Sequence, residues 1–373
     1  MSKRFVWSLI GALAIVSLLI VGCAPATPTT PTTPTTPTAP TTPTTPTTPS
    51  QPAAKTYDLV GQSHAGGLTA QHTSLVRVAE NIGAASGGRI KMTVEIGGGI
   101  APATKEFDAC DTGTLDFAVT CWMYWLDKFP AAGLFTMISG GMTPMGAISW
   151  FLEGGGYELA NEMIEGYDVV LIKDGGWMGP PEAFLQTNKE LNTVNDIKGM
   201  KIRGAGDGGE ILSRLGASMV MMPAGEVFES MQRGVIDGFE VASPTLNWDL
   251  GLYEAADYLY LSGARQPYEY NPFIMNKDVW NDLPADLKQI ISEVNEAETI
   301  RSYCEMMRKD LESIANFEAY GTKILPVPAA ITDAYGETAK AFYAERAADP
   351  FYAEVLDSYW GWKDQLDTVW SHL

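Results

Sequence analysis

Histidine and cysteine are scarce in this chain of 373 residues, with three of the first and four of the second. With Cys23 set aside in the N-terminal segment, Cys110, Cys121 and Cys304 remain, an odd number without paired spacing. His64, His72 and His372 lie far from them in sequence, which argues against both a disulfide framework and a zinc site. Positive charge is short as well. There are 25 Lys and Arg against 45 Asp and Glu, a formal net charge of −20. Such a balance disfavours nucleic acid and anionic lipid surfaces as partners. It leaves room for a small anion, because local arginines decide that. Beyond residue 54 no apolar run is long enough to span a bilayer.

What is present begins at the N-terminus. Lys3 and Arg4 precede an apolar run from Phe5 to Val21, followed by Gly22 and Cys23. A basic start, a short apolar core and a small residue before the cleavage point make residues 1–22 a secretory signal rather than a membrane span. Its ending, Ile20-Val21-Gly22-Cys23, resembles a bacterial lipobox, so Cys23 is expected to become the lipidated first residue. Thr, Pro, Ala, Ser and Gln fill residues 24–54. A segment of that kind buries too little apolar area to fold. Its repeated prolines favour polyproline II, which reaches on the order of 90 Å over such a length. The expected location is extracytoplasmic and lipid-anchored, away from ATP and NAD, with no organic cofactor.

Residues 55–373 alternate strand-like and helix-like stretches. Tyr57–Gly61, Ile90–Ile96 and Leu115–Thr120 read as strands, separated by helices over 75–82 and Pro102–Thr112. The pattern returns with strands at Met200–Arg203, Ser218–Met222 and Val235–Val241, and helices at Gly208–Leu215 and Glu226–Arg233. Phe107, Gly113 and Asp116 have the same spacing as Phe228, Gly234 and Asp237. Pro284–Ser302, Tyr303–Ala319 and Ala329–Trp370 are helical patterns. The expectation is an α/β protein with two lobes, mostly parallel sheets and long C-terminal helices crossing both lobes. Lobe I is expected at 55–180 plus about 269–308, and lobe II at 181–268 plus about 309–373. Ligands bind such folds in the crevice at the carboxyl ends of the strands.

Two motifs suggest enzymes and carry the suggestion poorly. Gly204, Gly206 and Gly209 satisfy a dinucleotide fingerprint between a strand and a helix. It sits in mid-chain, however, in a protein expected outside the cell. A glycine turn that lets a small carboxylate approach backbone N–H groups is the better reading. Gly61-Gln62-Ser63-His64-Ala65 resembles a degenerate nucleophile elbow, with His72 on the following helix as a candidate base. More often Gln62, Ser63 and His64 would simply line a cleft. Tyr124 and Trp125, in the aromatic cluster after Leu115–Thr120, belong either to the core or to an aromatic wall.

Met200-Lys201-Ile202-Arg203, Leu215-Gly216-Ala217, Gly234-Val235-Ile236-Asp237, and Asn276 to Pro284 together resemble one family. It is the DctP family of solute-binding proteins that serve TRAP (tripartite ATP-independent periplasmic) transporters, and the likeness runs from about Tyr57 to the C-terminal helices. The resemblance implies a receptor, not an enzyme, that captures a small organic acid and delivers it to membrane subunits. It implies that Arg203 forks onto the ligand carboxylate; the plainer alternative is a structural salt bridge.

The closer likeness is to members that bind α-keto or hydroxy acids through a cation. Glu240 matches their cation-binding glutamate and the Val241 carbonyl their backbone donor. Their glutamine, 21 positions before the arginine, is Glu182 here. Arg203 with Glu182 and Glu240 sums to −1, and a monocarboxylate makes −2, so a Ca or Na ion bridging ligand, Glu182, Glu240 and Val241 is expected. Glu182 facing a ligand amine, or solvent, is the alternative. Arg265 and Gln266 stand where those members carry Trp-Glu; Arg265 would take a second carboxylate or hold a salt bridge. Trp177, Phe184, Tyr124, Trp125 and Gln266 complete the expected cleft. A Trp-rich tail permits a homodimer as readily as a monomer.

Overall fold

The structure, a computed structural model, describes residues 55–370 except 68, 205 and 223, and except the side chain of Asp174. The expected signal, the lipidation at Cys23 and the linker lie outside the described residues. Among the described residues eleven strands form two sheets. They are β1 (Tyr57–Ser63), β2 (Ile90–Glu95), β3 (Phe117–Val119), β4 (Val169–Gly179), β5 (Ala183–Thr187), β6 (Lys201–Arg203), β7 (Ser218–Val220), β8 (Gly238–Phe239), β9 (Tyr258–Leu261), β10 (Glu269–Asn276) and β11 (Lys323–Pro326). The first sheet has the order β2-β1-β3-β10-β4 and the second β11-β9-β5-β8-β6-β7.

Each sheet is parallel except for one reversed strand. β1 pairs in parallel with β2 and β3, and β10 runs antiparallel to both β3 and β4. In the second sheet β6 is parallel to β7 and β8, and β5 runs antiparallel to β8 and β9. The reversed strands follow directly on the places where the chain changes sheets. It passes from β4 to β5 through Pro180, Pro181 and Glu182, and from β9 to β10 through 262–268. The long helix Ala285–Tyr320 makes the third passage.

Sequence spacing and structure agree on an internal repeat. The orders β2-β1-β3 and β7-β6-β8 are the same arrangement. Asp116 exchanges two bonds with the first strand of its half, its N–H to the Val60 carbonyl at 2.8 Å and its carboxylate to the Val60 N–H at 2.7 Å. Asp237 does the same with Lys201, at 2.7 and 2.8 Å. Gly113 and Gly234, at φ of 70° and 66°, take the left-handed turn before each aspartate that a side chain would resist.

The C-terminal helices differ from expectation in three ways, the simplest being that Ala329–Trp370 divides into Ala329–Arg346 and Pro350–Trp370. Residues 285–320 form one continuous helix rather than two, because no glycine or proline interrupts them and Gly321 alone terminates it at φ of 110°. Its first half lies on β4 and on the helix Ala70–Ala85, where the buried Glu298 carboxylate accepts from Ser74 at 2.8 Å and from the Arg77 guanidinium. Its second half meets the helix Pro244–Asp249, with Trp248 edge-on to Phe317. The last helix, Pro350–Trp370, was expected in lobe II with the rest of 309–373. It packs instead on the helices Pro144–Glu153 and Gly156–Met163, burying Tyr359 against Trp150. Aromatic residues on its inner face find their apolar partners there.

Candidate functional site

β6 and β8 are adjacent and parallel, so the residues at their carboxyl ends are neighbours. The Glu240 N–H donates to the Arg203 carbonyl at 2.9 Å. In return the half-buried Arg203 guanidinium donates from Nη1 to the Glu240 carbonyl at 2.6 Å and from Nε to the Met222 carbonyl at 3.1 Å. Two backbone oxygens therefore set the orientation of its plane. That is firmer than a flexible surface pair would give.

The Glu240 side chain turns the other way, to Arg265. Arg265 is 1% exposed, and its Nη1 stands 2.8 Å from Glu240 Oε2 while Nη2 stands 2.6 Å from Glu182 Oε2. Nη2 also donates to the Ala183 carbonyl at 2.9 Å, and Gln266 Nε2 donates to Glu182 Oε1 at 2.9 Å. Glu182 and Arg265 come from the two strand passages between sheets, which the Glu182 N–H ties together by donating to the Gln266 carbonyl at 3.2 Å. The cluster thus joins both passages to the carboxyl end of β8.

The glycines of the fingerprint-like stretch make space for this cluster. A Cβ on Gly204 would come within 2.9 Å of Glu240 Oε1, and one on Gly208 within 2.9 Å of Arg265 Cγ. At these two positions side chains of the cluster lie in the space a Cβ would take, while Gly206 takes a left-handed turn at φ of 60°.

Burial pushes the Glu182 carboxyl up to about 8; Arg265 opposes this, and Glu240 and Glu269 reinforce it. Burial works against the Arg265 charge too, but Glu240 and Glu182 hold its guanidinium above the usual range. Glu269, at the start of β10, is raised by burial and accepts from Asn271 at 3.1 Å. A cavity of about 390 Å³ opens on this side, lined among others by Trp177, Glu182, Glu269, Ser243, Thr245 and Lys309. Arg203 does not line it but connects to it through Glu240 and Arg265.

Of the residues expected in the cleft, the structure brings Arg203, Glu182, Glu240 and Gln266 into one hydrogen-bonded chain and places Trp177 on the cavity wall. Tyr124 is 37% exposed, with His64 edge-on to its ring at 5.8 Å. Two expectations need correction. Trp125 is buried, its ring centroid 4.6 Å from those of both Phe107 and Trp122, so it is core and no wall. Phe184 is fully buried against Tyr335. Both follow strand ends closely enough to look like cleft residues, yet their side chains point into the packed interior.

Gln62 and Ser63 are fully buried as well. Gln62 secures the Ala101 backbone and donates to Glu106, a buried carboxyl raised by its desolvation that had no signal in the sequence. Ser63 Oγ lies 3.0 Å from His72 Nδ1 but is also 2.6 Å from the Ala65 carbonyl, inside the protein where a substrate does not reach.

The expected cation donors are engaged differently. Glu182 and Glu240 both face the Arg265 guanidinium, and the Val241 side chain packs against the buried cluster that contains Val227, Ile236 and Phe239. Among the described residues no group of three or more His, Cys, Asp or Glu side chains is placed to hold a metal ion. Arg265 stands where an ion bridging the Glu182 and Glu240 carboxylates would stand.

Two α/β lobes joined by three passages, with charged side chains gathered at the strand ends between them, define a solute-binding protein of the periplasmic type. Residues 62–349 match the model of bacterial extracellular solute-binding protein family 7, and the chain belongs to that family, DctP, the solute-binding proteins of TRAP transporters. It is similar to a monocarboxylate 2-oxoacid-binding periplasmic protein of Nostoc sp., 26% identical over 290 residues, which are 78% of this chain and 79% of the relative. It is also similar to two solved TRAP periplasmic solute-binding proteins. That of Colwellia psychrerythraea holds calcium and pyruvate and that of Pseudoalteromonas atlantica holds sodium and pyruvate. Their TM-scores are 0.77 and 0.75; each is 26% identical, and the likeness covers 84% of this chain and 96% of theirs. No helix among the described residues is long and apolar enough to cross a membrane.

Proposed function

We propose that this receptor captures a small monocarboxylate of the 2-oxo or 2-hydroxy acid class, with Arg203 receiving the carboxylate, and hands it to TRAP membrane subunits without chemical change. The observation that carries this reading is the Arg203 guanidinium, held by the Met222 and Glu240 carbonyls at the carboxyl end of β6. Ligands of open α/β sheets gather at that end. Membership of the DctP family and the pyruvate in two relatives support it. A planar fork oriented by backbone supplies direction as well as charge to a bound carboxylate. The domain division that goes with this reading assigns the first sheet to one lobe and the second to the other, closing over the ligand. Attachment at a lipidated Cys23 would keep the receptor beside its membrane partners.

One observation favours a second reading. The cavity beside Glu182 is lined by Glu182, Asp249, Glu269 and Glu312 against a single Lys309, a setting that suits a carboxylate bearing an amine.

Calorimetry against pyruvate, lactate and their amino-acid counterparts separates the two. Arg203→Ala is expected to weaken carboxylate binding at least 100-fold, about 3 kcal/mol, as for loss of a charge-assisted pair. Wild-type affinity in that variant would remove Arg203 from the site.

A further inference from the structure

The relatives hold calcium or sodium as well as pyruvate, whereas here a side chain stands between the carboxylates expected to hold such an ion. We propose that the Arg265 guanidinium replaces the metal ion, so that this receptor binds its carboxylate ligand independently of Ca²⁺ and Na⁺. The proposal rests on the reading of Glu182 and Glu240 as binding-end carboxylates of the same site.

Geometry is the first support. Nη1 and Nη2 of one guanidinium lie 2.8 and 2.6 Å from Glu240 and Glu182, which places a positive charge directly between the two carboxylates. The second support is charge. Arg265 and Arg203 contribute two positive charges against at most two negative ones from Glu182 and Glu240, and fewer while burial keeps the Glu182 carboxyl protonated up to about 8. The balance that a cation would otherwise supply is already met by protein. A divalent ion added beside a guanidinium would meet repulsion, and arginine does not relieve it by losing its proton.

The third support is the effort the fold makes to admit this side chain. Arg265 is 1% exposed. Its stem runs where Gly208 has no Cβ, its carbonyl accepts from Ser139 Oγ at 2.7 Å, and Gln266 completes the coordination of Glu182. An adventitious surface ion pair would show none of these. A guanidinium also differs from an ion in being permanent. It is delivered by folding, cannot be removed by dilution or a chelator, and presents its donors in one plane.

The test uses the full chain and begins without any organic ligand. Titration of chelator-stripped wild type with Ca²⁺ by calorimetry, and with Tb³⁺ by luminescence sensitised through Trp177, is expected to show no stoichiometric site. Pyruvate affinity is expected to stay within twofold in chelator. Arg265→Met frees both carboxylates and is expected to acquire a 1:1 Ca²⁺ site, with pyruvate affinity at least tenfold weaker in chelator and restored by Ca²⁺. Arg265→Lys, which keeps a charge should the methionine variant not fold, is expected to remain insensitive to Ca²⁺. A stoichiometric Ca²⁺ site in wild type, or a tenfold loss of affinity on chelation, overturns the proposal. So does a folded Arg265→Met protein that binds no Ca²⁺, since the carboxylates would then never have been ion donors. The ion titrations are read without pyruvate, so a failure of wild type to bind any monocarboxylate would count against the proposed function alone.

Discussion

A half-buried imidazole shows how much one residue in this protein depends on its surroundings. Burial lowers the His64 pKa from 6.5 to about 4, against the Val119 carbonyl, which accepts from Nδ1 at 3.3 Å and favours the charged ring. Since a carbonyl only accepts, Nδ1 carries the proton in this contact. Between those two values the unfolded chain binds a proton that the folded chain refuses. The stability that follows from neutral His64 is therefore complete above about pH 6.5 and is lost as pH falls toward 4. It amounts to about 1–3 kcal/mol for a ring that is partly exposed. Urea unfolding at pH 7.5 and 4.5 is expected to show His64→Asn with a smaller drop between the two than wild type; equal drops would count against it. At this scale the sequence was only partly legible. The family resemblance pointed to Arg203, Glu182 and Glu240, and the structure joins them in one chain of contacts. That Arg265 would occupy the middle of them could not be read, because its partner Glu182 is 83 positions away and the pairing depends on how two strand passages meet.

Among elements, the clearest result is the doubled β-α-β-α-β unit. Shared spacing of Phe, Gly and Asp pointed to it, and the two aspartates prove to make the same pair of bonds to the first strand of each half. The physical reason is register. A parallel neighbour has no hairpin to align it, so a side chain that fastens one backbone N–H fixes where the strand begins. Asp116→Ala and Asp237→Ala are each expected to cost about 1 kcal/mol, as lost hydrogen bonds near the surface do, and to cost nearly the same. Chemical denaturation of the two variants checks this, and a neutral effect in either would break the equivalence. Boundaries were harder to read than existence. The third strand of each half shrank from six or seven expected residues to Phe117–Val119 and Gly238–Phe239, because flanking residues with strand-like composition are used for turns and for the site. The reversed strands β5 and β10 were not legible at all. Their hydrophobic sequences suit either direction, and only the change of sheet just before each one sets it.

For the whole molecule, the family places the receptor outside the cytoplasm, and its dependence on membrane partners gives a reason for an anchor. The proposed anchor rests on the Gly22-Cys23 junction before a Thr/Pro-rich segment. Cys23→Ala expressed in the native cell is expected to move the protein from the membrane fraction to the soluble extracytoplasmic fraction, with pyruvate binding unchanged. Wild type found entirely soluble would end the lipoprotein reading. The two-lobed plan was evident from alternating elements, whereas the fate of the last helix was not. Its aromatic face suits any apolar surface, and the partner it selects, around Trp150, lies some two hundred residues earlier.

β10 is the only link between β3 and β4 in the first sheet, and it arrives almost a hundred residues after β4 and about a hundred and fifty after β3. A nascent chain that has emerged only as far as β9 therefore holds a first half split into two unjoined edges. Completion must wait for the ribosome to pass Asn276. That delay leaves the first sheet open until late in the making of the chain.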